Sequence, residues 1–171
     1  MIIVIMGVAG SGKTLIGRQL AQALDWSFVD ADDFHPPENV EKMSSGVPLS
    51  DADREPWLEA LQRVLSQADA SRRNVVLACS ALREAFRNRL GAGVTDLRFV
   101  YLRGDASLLE ERVRARRDHF FSPDLLASQL ATLEEPQDAI VIDTDAPPPA
   151  IVARISRELN LHGSAAAADS S

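Results

Sequence analysis

The chain has 171 residues, 46% hydrophobic, 25% charged and 5% aromatic, with a formal net charge of −7 at pH 7. That length is one domain's worth and can bury a core without disulfides or a structural metal. The acidic balance and scarce aromatic rings exclude the basic, base-stacking surface of a nucleic-acid binder. A lone cysteine, Cys79, excludes an intrachain disulfide or thiolate metal cluster. No apolar run approaches the roughly 20 residues that span a bilayer. Met1 to Met6 lacks the basic segment and cleavage site of a signal peptide. The expectation is a cytoplasmic domain with neither nucleic-acid nor membrane partners.

Ile2 to Met6 is a short apolar run ending at Gly7, the pattern of a strand buried on both faces. Ile16, Leu20 and Leu24 then recur at helical spacing, and Trp26 to Val29 predicts a second strand. Ser50, three residues before Asp53, resembles a capping box. Pro56 is expected to begin the main helix of Trp57, Leu61 and Leu65 after a short turn. Val75 to Ala78 and Leu97 to Leu102 predict strands, with a helix at Leu82, Phe86 and Leu90 between them. Helical spacing returns at Leu109 with Val113 and, behind Ser122-Pro123 as cap and first residue, at Leu126 with Leu130. Ala139 to Ile142 is the fifth strand, and Pro147 to Pro149 form a rigid lead into a helix of Ile151, Ile155 and Leu159. Residues 1–162 form one domain, and the Ala/Ser/Gly tail from Gly163 to Ser171 is expected to be disordered. Strands alternating with helices imply an α/β fold, a five-stranded parallel sheet with helices on both faces. Ligands of such sheets bind at the carboxyl ends of the strands.

Gly7-Val8-Ala9-Gly10-Ser11-Gly12-Lys13-Thr14 fits G-x-x-x-x-G-K-[ST] between a predicted strand and a predicted helix. Its glycines let successive N–H groups converge on phosphate oxygens, and the helix start adds the positive end of its dipole. Lys13 is placed at the β- and γ-phosphates of a nucleotide and the Thr14 hydroxyl on Mg²⁺. The run Leu77 to Ser80 ends without the acid that GTPases and motor ATPases use, and no Asn-Lys-x-Asp guanine reader is present. Small-molecule kinases remain.

The strand ending in acids is Phe28-Val29-Asp30-Ala31-Asp32-Asp33. Asp30 and Asp32, two apart on an extended strand, are expected to point the same way. Asp32 is the candidate to orient or accept the proton of an attacking hydroxyl, and Asp30 the candidate Mg²⁺-side carboxylate. The bland alternative is a set of loop acids capping the next segment.

Beyond these motifs, Asp30 to Pro37 (D-A-D-D-F-H-P-P), Asn39, Lys42 to Leu49 (K-M-S-S-G-V-P-L), Asp51, Asp53-Arg54, Pro56-Trp57-Leu58, Cys79 to Arg83, Tyr101 to Gly104 and Arg114 to Pro136 together resemble the gluconokinase family. The resemblance runs over nearly all of residues 1 to about 160. It departs in small ways, such as Thr14 where serine is common and Leu15 beside it. It implies the P-loop kinase fold of the nucleoside-monophosphate-kinase type, with a mobile lid over about residues 112–130. It also implies ATP and Mg²⁺ as cofactors, D-gluconate as substrate, 6-phosphogluconate as product, and a homodimer.

A polyhydroxy anion needs a fixed cation and several hydrogen-bonding groups. His35, Lys42, Arg54, Ser80, Arg83, His119 and Gln129 offer them after the strands, and the resemblance favours His35, Arg54, Arg83 and His119. Each has a structural alternative. His35 could cap a turn, Lys42 could be a solvated helix position, Asp53 could only close its capping box, and Arg54 could pair with an acid. Arg112, Arg114, Arg116 and Arg117 could simply complement a helix end. The resemblance favours Arg116 as a catalytic lid arginine and Arg112 as a nucleotide contact, with Arg114 and Arg117 facing solvent. Cys79 reads as inert core, and Asp143-Thr144-Asp145 as bordering the adenine pocket. Competing functions are a kinase of another polyol acid such as shikimate, and a nucleotide-binding module without turnover.

Overall fold

The computed structural model describes residues 1–115 and 123–161. β1 (Ile2–Met6) is buried at all five positions. Ile2, Val4 and Met6 join one core cluster while Ile3 and Ile5 join another, the two-residue period of a strand covered on both sides. β2 (Ser27–Asp30), β3 (Val75–Ala78), β4 (Leu97–Arg103) and β5 (Ile140–Asp143) complete a parallel sheet of order β2-β3-β1-β4-β5. All five strands therefore stand where the apolar runs placed them, with bounds within one residue. The chain leaves β1 toward β2 and leaves β3 in the opposite direction toward β4. Their carboxyl ends thus open the crevice in which such sheets bind ligands.

α1 (Lys13–Leu24) and α7 (Pro148–Glu158) cover one face through Ile16, Leu20, Leu24, Ile151 and Ile155. α3 (Asp51–Ala70) and α4 (Glu84–Gly91) cover the other through Leu58, Leu61, Leu65 and Leu90. Each fully buried leucine contributes about 1.5–3 kcal/mol of transfer free energy. α5 (Ala106–Ala115) and α6 (Pro123–Thr132) pack elsewhere. Their Leu109, Val113 and Leu126 gather with Val8, Ala9 and Leu82 in a third cluster that clamps the loop after β1.

The proline at position 56 corrects one expectation. α3 begins at Asp51, and Pro56 lies inside it. The Ser50–Asp53 capping box is closed in both directions and nucleates the helix a turn and a half earlier, so the proline costs one hydrogen bond to the carbonyl of residue 52. Pro148 and Pro149 likewise form the first turn of α7, behind Pro147 as cap, because N–H groups there have no intrahelical partner. α2 (Pro37–Ser44) was foreshadowed only by the structural alternative for Lys42 and not by apolar spacing. Pro123 does open α6, whereas its expected cap Ser122, and the expected tail at 163–171, lie outside the described residues. Among the described residues, no helix is long and apolar enough to cross a membrane.

Candidate active site

Residues 7–14 leave β1 in a tight loop whose glycines are required by geometry. Gly10 has φ +81°, and a Cβ there would lie 2.8 Å from the Leu109 carbonyl oxygen and 3.1 Å from Val113 Cγ2. The loop is thereby pressed against α5 with no room for a side chain. Gly10→Ala is expected to lower stability by about 1–2 kcal/mol or more, read in urea unfolding, and to weaken nucleotide binding with it. Gly12, at φ +91°, is the α1 cap and supplies no side-chain cap bond. The first turn of α1 thus presents uncapped N–H donors and its positive dipole end, a cradle that fits phosphate. Lys13 Nζ donates to the Val8 carbonyl at 3.0 Å, folding back over the loop. The Ala9 N–H donates to Gln129 Oε1 at 2.6 Å, which ties α6 to the same loop.

Asp30 ends β2 beside this cradle. Its Oδ2 accepts from the Thr14 hydroxyl at 2.8 Å and its Oδ1 from the Asp32 N–H at 3.2 Å. Asp30 and Asp32 do not share a strand face as expected. The strand stops at Asp30, and Ala31–Phe34 forms a 3₁₀ turn capped by the Asp30 carboxylate. The turn places Asp32 and Asp33 on the wall of a cavity that Lys13 also lines. Among the described residues, no cluster of three or more His, Cys, Asp or Glu could hold a metal by itself. A hydroxyl paired with one carboxylate beside a phosphate cradle still fits Mg²⁺, which keeps waters and takes much of its octahedron from substrate phosphates.

The 3₁₀ turn is held from below by Trp57, whose Nε1–H donates to the Ala31 carbonyl at 2.7 Å. The Trp57 ring also stacks on His35, with centroids 4.7 Å apart and planes 4° from parallel. Burial, reinforced by the charge of Arg54, pulls the His35 pKa down from 6.5 to about 4. The imidazole is therefore neutral at physiological pH, and its Nδ1 is buried without a hydrogen-bond partner. A neutral ring can both donate to and accept from a sugar hydroxyl. Between pH 6.5 and about 4 the unfolded chain binds this proton and the folded chain does not. Stability contributed here is complete above pH 6.5 and is lost as pH falls toward 4. Thermal midpoints are expected to drop between pH 7 and pH 4.5 more steeply in the native chain than in His35→Asn.

The cavity, about 410 Å³, is lined by Lys13, Asp32, Asp33, His35, Trp57, Ser80, Arg54 and Phe86, with Gln129 and Ser128 contributed by α6. It is roofed by apolar side chains of α2 and the following loop, Val40, Met43, Val47 and Leu49. Lys42 is not on the wall. Its ammonium pairs with Asp53 at 2.7 Å, and Asn39 Nδ2 donates to the Asp53 carbonyl at 2.7 Å, so these residues fasten α2 to the start of α3. Lys42, then the Ser50 groups, hold the Asp53 pKa down at about 2. Arg83 stands behind the cavity. It donates to both oxygens of Asp51 at 2.9 and 2.7 Å and lies over the Phe86 ring, as Arg54 does from its own side.

Arg112 donates to the Thr144 carbonyl at 2.6 Å, which joins α5 to the loop after β5. Arg114 is exposed and pairs within its helix with Glu110 at 3.3 Å, in keeping with a solvent-facing position. Arg116, Arg117 and His119 lie outside the described residues, as does much of the expected lid at 112–130. Cys79 is buried, and desolvation pushes its thiol up to about 12, too high for a nucleophile at neutral pH. Sequence alone singled out Asp51 and Trp57 only as residues of the family resemblance, without a site role, and read Phe86 only as a helix position. It missed buried Arg87, which donates to the carbonyls of Ala81 and Leu82 and braces the turn after β3.

Comparison with known proteins narrows this geometry. A family model described as shikimate kinase matches residues 9–160. A curated relative named "Probable gluconokinase" from Xenopus tropicalis is 46% identical, with 94% of each chain covered. The crystal structure of a gluconokinase from Sinorhizobium meliloti 1021 superposes with a TM-score of 0.79 at 41% identity, covering 92% of this chain and 94% of that one. An unliganded sugar kinase from Janibacter sp. HTCC2649 superposes with a TM-score of 0.87 at 39% identity, over 94% of both chains. A phosphate cradle, an acidic turn and an arginine-bearing cavity on one parallel sheet, with identities of this size over nearly the whole length, place the chain in the gluconokinase family of P-loop kinases.

Proposed function

We propose that the chain transfers the γ-phosphoryl group of ATP to the terminal hydroxyl of D-gluconate, giving 6-phospho-D-gluconate and ADP. The observation that carries this reading is that Lys13 and Asp32 line the same cavity as the Arg54 guanidinium. An extended acid lying along it would turn its carboxylate to Arg54 and its far hydroxyl to Asp32. His35, Ser80 and Gln129 would meet the hydroxyls between them, with His119 completing the substrate contacts, while Arg83, expected from sequence to touch substrate, acts through Asp51 instead.

Each residue then has a definite task. Gly7 to Thr14 wrap the phosphates, Lys13 holds the bridging and transferring oxygens, and Arg112 contacts the nucleotide from α5. Asp32 orients the attacking hydroxyl and receives its proton as the new P–O bond forms. Thr14 and, through water, Asp30 would hold Mg²⁺, which neutralises phosphate charge when bound. Arg116 would neutralise the transferring group from the lid, so Arg116→Ala should lower kcat more than it raises KM. The homodimer belongs to the same reading, and light scattering at assay concentration checks it.

A coupled ADP-release assay over a panel of sugar acids tests the proposal. Turnover with gluconate, and only background with shikimate, is expected. Shikimate turnover exceeding that of gluconate would assign the chain to the other acid, and turnover with neither would leave a nucleotide-binding module.

A further inference from the structure

Asp51 is the first residue of α3, and its side chain is 62% exposed, so nothing in the helix start itself requires a carboxylate there. The helix is already capped by Ser50 and Asp53. Asp51 instead draws two cations together from distant parts of the chain. Arg83, 32 residues away, donates to both its oxygens at 2.9 and 2.7 Å, and Arg54 Nη1 stands 3.4 Å from Oδ1. Both guanidinium groups lie over the single ring of Phe86, at 5.8 Å for Arg54 and 5.7 Å for Arg83. That ring and Arg54 both line the cavity. Two positive charges and one negative charge thus meet at one end of the site, leaving a net charge of +1.

We infer that Asp51 is a specificity-determining residue, setting the arginine end of the cavity to accept a single carboxylate charge and to disfavour a dianionic group such as a phosphate monoester. This inference rests on the proposed function, in which the acid group of the substrate lies at Arg54. The physical basis is charge matching. A carboxylate of charge −1 neutralises the net +1 left by the triad. A phosphate monoester of charge near −2 is repelled by Asp51 about twice as strongly as a carboxylate is, because that repulsion scales with the ligand's charge, and it is left only half neutralised by the net +1. Without Asp51 the two arginines would form the bidentate, doubly cationic setting that suits phosphate. The device has a plain consequence for a kinase of polyol acids. Phosphorylated polyols, which share the hydroxyl chain, would be kept from entering tail-first and blocking the site.

The test compares two ligands in the full-length enzyme at saturating ATP. KM is measured for gluconate, and the competitive inhibition constant against gluconate for sorbitol 1-phosphate, whose chain carries a phosphate-bearing carbon in place of the carboxylate. In Asp51→Asn, which keeps shape and an oxygen acceptor, the ratio of inhibition constant to KM is expected to fall by about three- to tenfold. Asp51→Glu, which keeps the charge, is expected to hold the native ratio. A purely structural role would weaken both ligands together and leave the Asn ratio unchanged, and that result overturns the inference. An equal fall in the Glu variant overturns it too, because geometry rather than charge would then be responsible. Loss of the proposed function shows separately, as absence of gluconate turnover by the native chain.

Discussion

Lys13→Ala is expected to reduce kcat by on the order of 10²-fold or more while leaving the thermal midpoint nearly unchanged. The effect is large because the ammonium acts where negative charge accumulates. It lies inside the loop formed by Gly7 to Thr14 and can exchange its 3.0 Å bond to the Val8 carbonyl for contacts to phosphate oxygens. Charge-assisted bonds of this kind are about twice as strong as neutral ones. Stability should survive because α1 is held by Ile16, Gly17, Leu20, Ala21 and Leu24, all buried, and not by Lys13. The alanine variant removes a partner of the loop's own carbonyl, which water can replace. Steady-state turnover and a melting curve on the same preparation decide it. A variant with native kcat would dismiss the loop as a phosphate cradle, and one that lost activity only by unfolding would make Lys13 structural.

What could be read in advance was whatever is local in sequence. The phosphate loop is eight consecutive residues, and β1 announces itself through five apolar residues that alternate between two buried faces. α2 could not be read in the same way. Its apolar residues Val40 and Met43 face the cavity rather than the core, so they carry no core-facing period. Pro56 misled for a related reason. A proline's local preference is to begin a helix, but the closed capping box at Ser50 and the packing of Trp57, Leu58, Leu61 and Leu65 outweigh one missing hydrogen bond. Trp57 showed itself only as a helix core position. Its bond to Ala31 spans 26 residues, and its stack on His35 spans 22, so neither has a signature in spacing. The Asp51–Arg83 pair is equally long-range. Residue types and their segments were legible; which charges neutralise each other was not, because folding decides that.

Asp32→Asn is expected to lower kcat by roughly 10²–10⁴-fold while ATP affinity is retained. The substitution preserves size and leaves the turn intact, since the turn is fixed by other groups. The Asp30 carboxylate accepts the backbone N–H of residue 32, and Trp57 holds the carbonyl of residue 31. Neither bond uses the Asp32 side chain. What the amide cannot do is receive the proton of the attacking hydroxyl as the phosphoryl group moves, so the loss should appear in turnover rather than in nucleotide binding. Asp30→Asn makes the contrast. It would disturb the Thr14 hydroxyl bond and the cap of the turn together, so nucleotide–Mg²⁺ affinity and stability should both move. Measuring kcat, ATP affinity and the thermal midpoint for both variants separates the two carboxylates. Native turnover in Asp32→Asn would transfer the proton-accepting role to Asp33, the other acid of the turn on the cavity wall.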